Sequence, residues 1–168
     1  MGTGQSLFTL LAMMLLGMIT VRVNSNMLNA QDTSQNSKYA LVAISLAKST
    51  IETASRLAYD EKTFNTTITA TSQLTAPGSL GIDGSEVANK DSTFDDFDDY
   101  NNFNYTTDTT LKSAIFNIKC TVGYVQPTAP DVVVSTQTWL KKMTVTITSA
   151  QMKDTVRLNT VFSYWVFR

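Results

Sequence analysis

Between Met18 and Ala76 the chain contains neither glycine nor proline. Glycine weakens helices through its backbone freedom, and proline through its missing N–H and its clash with the preceding turn. A stretch this long without either therefore predicts one long, uninterrupted element. Its front overlaps an apolar run, Leu7 to Val21, that carries no charged residue. A polar but breaker-free segment, VNSNMLNAQDTSQNSK, follows. From Tyr39 the residues Ala40, Ile44, Ala47, Ile51, Ala54 and Ala58 recur at alternating steps of four and three, one face of a helix dominated by small side chains. We expect a single helix from about Ser6 to Glu61 with a polar middle. At about 1.5 Å per residue its length is about 80 Å, more than a globular core of this size requires.

Pro77, Gly78, Gly81 and Gly84 then fall close together and end the regular pattern. From Phe64 to Thr110 the chain is rich in Thr, Asn, Asp and Gly. The run TTITATSQL within it suits a short strand, and the rest suits irregular surface. The last third alternates. Phe116, Ile118, Cys120, Val122 and Tyr124 face one way, with Asn117, Lys119, Thr121 and Gly123 between them. Met143, Val145 and Ile147 alternate with Thr144, Thr146 and Thr148 in the same manner, and β-branched and aromatic residues continue from Thr155 to Phe167. SAQMKD fits a hairpin connection, and QPTAPD, with Pro127 and Pro130, a bulge or a departure from the sheet edge. The expected fold class is α+β: a long N-terminal helix whose C-terminal half packs on an antiparallel sheet of three or four strands. The expected division is 1–38, an apolar helix with its polar continuation, and 39–168, a globular head. Within the head we expect helix over 39–62, a variable loop region over 63–112 and the sheet over 113–168.

Composition removes most functional classes. Charged residues make up 16% of the chain, against roughly 25% in ordinary globular proteins, and abundant Thr, Ser and Asn give the neutral-polar surface typical of exported proteins. The net charge of −1 and a pI near 5.3 provide no basic footprint for nucleic acid. There is no histidine, and the single cysteine excludes an intrachain disulfide. Cys120 falls on the apolar face of its strand and reads as a small buried hydrophobe.

Asp95, Asp96, Asp98 and Asp99 crowd four carboxylates into FDDFDDYNNFNY. Calcium takes six to eight oxygen ligands, but the run lacks the spacing of an EF-hand loop. The plainer expectation is a solvated acidic loop whose Phe94, Phe97, Tyr100 and Phe103 fold back on the head, with no metal and no cofactor. Neighbouring aspartates do not make the two differently tuned environments that acid–base hydrolysis needs, and the chain is not expected to be an enzyme. Asn65 and Asn104 satisfy the glycosylation sequon. Phe162, Tyr164, Trp165 and Phe167 suit a core strand with a contact to a further subunit.

The apolar run has three readings. A cleaved secretory signal wants a basic residue ahead of its apolar core, and no Lys or Arg precedes Leu7; the first is Arg22. A permanent span wants roughly 20 apolar residues, more than Leu7 to Val21 supplies. The third reading is a helix that waits in a membrane and later moves into an equally apolar protein environment, with Arg22 at the membrane–water boundary while it waits.

Four stretches in order, GQSLFTLLAMML, the helix end AYDEKT, the loop FDDFDDYNNF, and the terminal pair KKMTVTITS and VFSYWVF, resemble the bacterial type IV pilins and their pseudopilin relatives over nearly the whole chain. The resemblance implies cleavage between Gly4 and Gln5 by a prepilin peptidase, and methylation of the new terminus. It also implies insertion in the inner membrane before assembly, and handling by the pilus assembly machinery. Copies of the chain would then bundle through Leu7, Phe8, Leu10, Leu11, Met14, Leu15, Met18 and Ile19 into the core of an extracellular filament. This sequence departs from that pattern twice. MGTG carries no basic residue, and the glutamate usual at the fifth mature position is Thr9 counted from Gln5, or Gln5 counted from Met1. Register would then come from packing. Gly17 suits either close helix–helix contact or a point where the helix loosens on assembly. The alternative reading is a membrane-tethered pseudopilin or a monomeric surface binding module of a secretion machine.

Overall fold

A computed structural model describes residues 2–84, 86–107 and 114–167, without the side chains of residues 64, 65, 166 and 167. Two compact units divide the chain, residues 1–38 and 39–168. One helix, α1 (Thr3–Ala54), contributes to both. In the first unit no described residue is buried, and its apolar side chains are exposed throughout, from Leu11 at 54% to Phe8 at 79%. The two hydroxyls in the apolar run are satisfied within the helix, Thr9 donating to the Ser6 carbonyl at 2.9 Å and Thr20 to that of Leu16 at 2.8 Å. Apart from the helix's own neighbouring backbone, no described atom lies within 4 Å of where a side chain on Gly17 would start.

In the second unit the packing face of α1 keeps Ala47, Ile51 and Ala54 of the expected stripe but turns toward Ala43, leaving Ile44 44% exposed. Ala43, Ala47 and Ala54 are fully buried in the core, with Val42, Leu46 and Ile51 packed beside them. The helix stops at Ala54, not at Glu61 or residue 62. Its last turn tightens, with Arg56 N–H donating to Thr53 and Leu57 N–H to Ala54. Ala58 is then drawn into a parallel β-bridge with Asp96, where Ala58 N–H donates to the Asp95 carbonyl and Phe97 N–H to that of Ala58. Tertiary pairing thus replaces the helical bonds that periodicity predicts for Ala58. A short second helix, α2 (Glu61–Asn65), restarts at Asp60, which caps it through Lys62 N–H while Thr63 returns a bond to the Asp60 N–H.

TTITATSQL is not a strand. The Gln73 side-chain carbonyl accepts the N–H groups of Thr69 and Ala70 at 2.8 and 3.1 Å, and a 3-10 turn spans Thr71–Gln73. Local side-chain bonding has taken the donors a ladder would need, while Ile68 and Leu74 are still buried.

Among the described residues the sheet has five strands, not the three or four expected: β1 (Asn104–Thr106), β2 (Phe116–Gln126), β3 (Ala129–Val133), β4 (Leu140–Ser149) and β5 (Val156–Ser163); β1 falls in the stretch expected to be irregular, where it pairs with β2. The order is β1-β2-β4-β5, all antiparallel, with β3 folded back on the far end of β2. Register aligns apolar rows across the three long strands, Ile118, Ile147 and Val156, then Cys120, Val145 and Leu158, and pairs Val122 with Met143, whose neighbour on β5 is Thr160. The β2–β3 pairing shifts register between Val125 and Gln126, and Pro130 stands in β3, which pairs with β2 alone among the described residues. Gly123 lies against β3: a Cβ there would come within 2.7 Å of Val133 Cγ1.

Candidate functional site

The inward row of β4 is Lys141, Met143, Val145 and Ile147, all fully buried. Lys141 is therefore a lysine in a core position, flanked in register by Tyr124 on β2 and Phe162 on β5. A buried ammonium is costly unless every proton finds an acceptor, and this one has three. Nζ donates to the Tyr59 carbonyl at 2.8 Å, to Asp60 Oδ2 at 2.9 Å and to Asp98 Oδ1 at 2.5 Å. Nζ also lies 4.6 Å from the ring centre of Tyr59 and 5.4 Å from that of Tyr124, positions that favour a cation electrostatically.

The two carboxylates are held differently. Asp60 is saturated: Lys62 N–H, Thr75 N–H and the Thr75 hydroxyl all donate to it, and the Tyr124 hydroxyl lies 3.2 Å from Oδ2 and 2.8 Å from the Thr75 carbonyl. Burial alone would raise its pKa, but the Lys141 ammonium and these donors outweigh burial and hold Asp60 below its ordinary value. Asp98 lacks such a shell. Burial pushes its carboxyl up, against the pull of Lys141 and helped by the charge of Asp60.

A third acid completes the cluster. Asp96 Oδ1 accepts the N–H groups of Asp98 and Asp99 at 2.7 and 3.1 Å, and its carboxyl hydrogen-bonds the Asp98 side chain. Burial, then the charges of Asp98 and Asp99, push Asp96 up to about 9, so it holds its proton at neutral pH. Asp99 accepts from the N–H groups of Asp95 and Asp96, and burial is the first cause that brings it to about 7.

The acidic run is thus not a solvated loop: Asp96, Asp98 and Asp99 are buried. The counter-charge on β4 and the backbone donors of the run itself make that burial tolerable. Phe94, Phe97, Tyr100 and Phe103 are buried as well, and Phe94, Tyr100 and Phe103 meet edge to face with ring centres 5.1–5.6 Å apart. Asp95, Asp96, Asp98 and Asp99 do not converge as one ligand set, because Asp98 is committed to Lys141 and Asp96 to the backbone. The carboxylates that do approach, within 4.8 Å of one another, are Glu86, Asp95 and Asp99. Lys141 and Asp60 were missed by sequence reasoning. The signal for Lys141 is the alternation of Met143, Val145 and Ile147, which continued back two residues puts it on the inner face; nothing local marks Asp60 beyond its cap position.

The other predicted positions are dispersed. Gly4 and Gln5 lie exposed in the first turns of α1. Leu7, Phe8, Leu10, Leu11, Met14, Leu15, Met18 and Ile19 are exposed along the same helix, which contains a window apolar enough to cross a membrane. Asn104 is exposed on β1 and accepts from the Asn117 side chain at 2.9 Å, whereas the side chain of Asn65 lies outside the described ones. Cys120 is fully buried, and burial pushes its thiol up to about 12. Phe162 and Tyr164 are core residues and Trp165 is exposed; the side chain of Phe167 lies outside the described ones.

Comparison of the chain with family models, with characterised proteins and with solved structures returns no match.

Proposed function

We propose that the chain is a structural subunit of an extracellular helical filament of the type IV pilin kind, polymerised by burial of its N-terminal apolar helix. The observation that carries this reading is the uncovered run Leu7–Val21 at the front of an unbroken helix. Side chains of this kind gain about 1.5–3 kcal/mol each on leaving water, so a segment bearing so many must be covered by lipid or by protein. Its hydroxyls are already bonded within the helix, which suits both environments. In this reading the precursor waits in the inner membrane, is cut between Gly4 and Gln5 by a prepilin peptidase, and is passed by the assembly machinery into a homopolymer with the sheet unit as its surface. The same hydropathy supports the second reading, a membrane-tethered pseudopilin or binding module that does not polymerise.

Fibre formation by the parent chain distinguishes them, and Leu15→Asp tests the placement of the segment. An isolated carboxylate in a bundle of apolar helices is prohibitive, so cells making this variant are expected to shed no fibres seen by negative stain, while those making the parent chain shed thin fibres containing it. Normal fibres from the variant would remove Leu15 from the polymer core. A parent chain recovered only as detergent-dependent monomer would favour the tethered module.

A further inference from the structure

We propose that Lys141 and Asp98 join covalently, as an intramolecular amide between Nζ and Cγ, in the folded head. The two side chains are fully buried and nearly so, with exposures of 0% and 3%, and Nζ sits 2.5 Å from an oxygen bonded to the carbon it would attack. Holding two reactants in contact away from water is worth effective concentrations of about 10⁵–10⁸ M. Condensation also removes two charges from a buried site, where each costs most.

The three acids divide the work. Asp98, whose Oδ1 already meets Nζ, takes a proton from the Lys141 ammonium, so that a neutral amine faces a neutral carboxyl. Asp60, kept ionised by Lys141 and by the Thr75 and Lys62 donors, stays a carboxylate and holds Nζ in place. Asp96, which holds a proton beside Asp98, gives it to the Asp98 carbonyl oxygen as the amine attacks Cγ, and takes one back from N–H once the N–C bond has formed. Asp96 then moves a proton from one hydroxyl of the tetrahedral carbon to the other, and the C–O bond breaks to release water. Overall R–NH₃⁺ and R–COO⁻ become an amide and H₂O; nothing is oxidised, and Asp60 and Asp96 end as they began. Asp98 is the acceptor, not Asp60, because the donors saturating Asp60 stabilise its carboxylate and disfavour attack there. The remaining amide N–H retains the Tyr59 carbonyl as its acceptor, 2.8 Å from Nζ. The bond closes a 43-residue span between the acidic run and β4. It forms in the head whatever the N-terminal segment does, so the filament reading and this one fail separately.

The test is peptide mass spectrometry of the full chain, which is unaffected by processing at the N-terminus. Trypsin should fail to cut after Lys141, and the peptides containing Asp98 and Lys141 should travel as one species about 18 Da lighter than their sum, the mass of the water lost in an uncatalysed-by-metal, redox-neutral condensation. Lys141→Arg and Asp98→Ala should abolish the species. Asp96→Asn, which keeps the side chain's size and its carbonyl acceptor, should still fold but form the link at least tenfold more slowly. Unlinked peptides from parent chain that melts cooperatively, or a link to Asp60, would overturn the proposal; a folded Asp96→Asn chain linked at the parent rate would overturn the role given to Asp96.

Discussion

Adjacent lysines on β4 show how burial sets the worth of a charge. Lys141 is fully buried against two carboxylates, whereas Lys142 pairs with Asp131, whose side chain is 89% exposed. Lys141→Met leaves two buried acids without their counter-charge and is expected to cost about 3–5 kcal/mol in urea unfolding. Lys142→Met should cost less than about 1 kcal/mol. Asp96 makes a second prediction. Its folded pKa, about 9, lies above the ordinary 3.8, and that of Asp99 is about 7. Between those limits the folded chain holds protons that the unfolded chain has released, so stability falls as pH rises. Each such proton contributes about 1.4 kcal/mol per pH unit. Unfolding measured from pH 5 to 8 should therefore show declining stability, and Asp96→Asn should flatten the decline. Burial leads both shifts, so the slope persists whether or not Lys141 is linked.

Elements show where local pattern yields to pairing. The long strands β2 and β4 were legible because one buried face imposes a period of two, which Phe116–Tyr124 and Met143–Ile147 follow; β1 and β3, with no buried face of their own, were not. The end of α1 was not, because Ala58 continues the helical spacing yet bonds to the acidic run through Asp95 and Phe97. By alternation Gly123 is an outward position on β2, but in the fold the Val133 side chain of β3 lies against it. Gly123→Ala forces its Cβ against Val133 and should destabilise the head by about 1–3 kcal/mol. Val133→Ala in the same chain removes the obstructing methyl groups, and thermal melting should recover most of the loss; no recovery would place the strain elsewhere.

At the scale of the whole molecule, the two units have different demands. The second unit, residues 39–168, contains every buried residue described, so its core is expected to form without the apolar run. A fragment beginning at Tyr39 is expected to be a soluble monomer by sedimentation, with a melting temperature within a few degrees of the full chain in detergent. A fragment that unfolds or aggregates would show that residues 1–38 stabilise the head.

What the sequence determined by itself was whatever repeats locally: a long helix free of breakers, its small-residue face, the alternating strands, and an apolar front that water cannot accommodate. It also pointed to Phe94, Phe97, Tyr100 and Phe103 as core residues. Only the tertiary structure decided that three of the four aspartates among them are buried too. An aspartate's ordinary place is in solvent, and nothing within FDDFDDYNNF supplies the positive charge that reverses this preference. That charge comes from Lys141, 43 residues from Asp98 and 81 from Asp60. Periodicity reports which face a residue occupies, but which charges meet across a core depends on how separate elements dock.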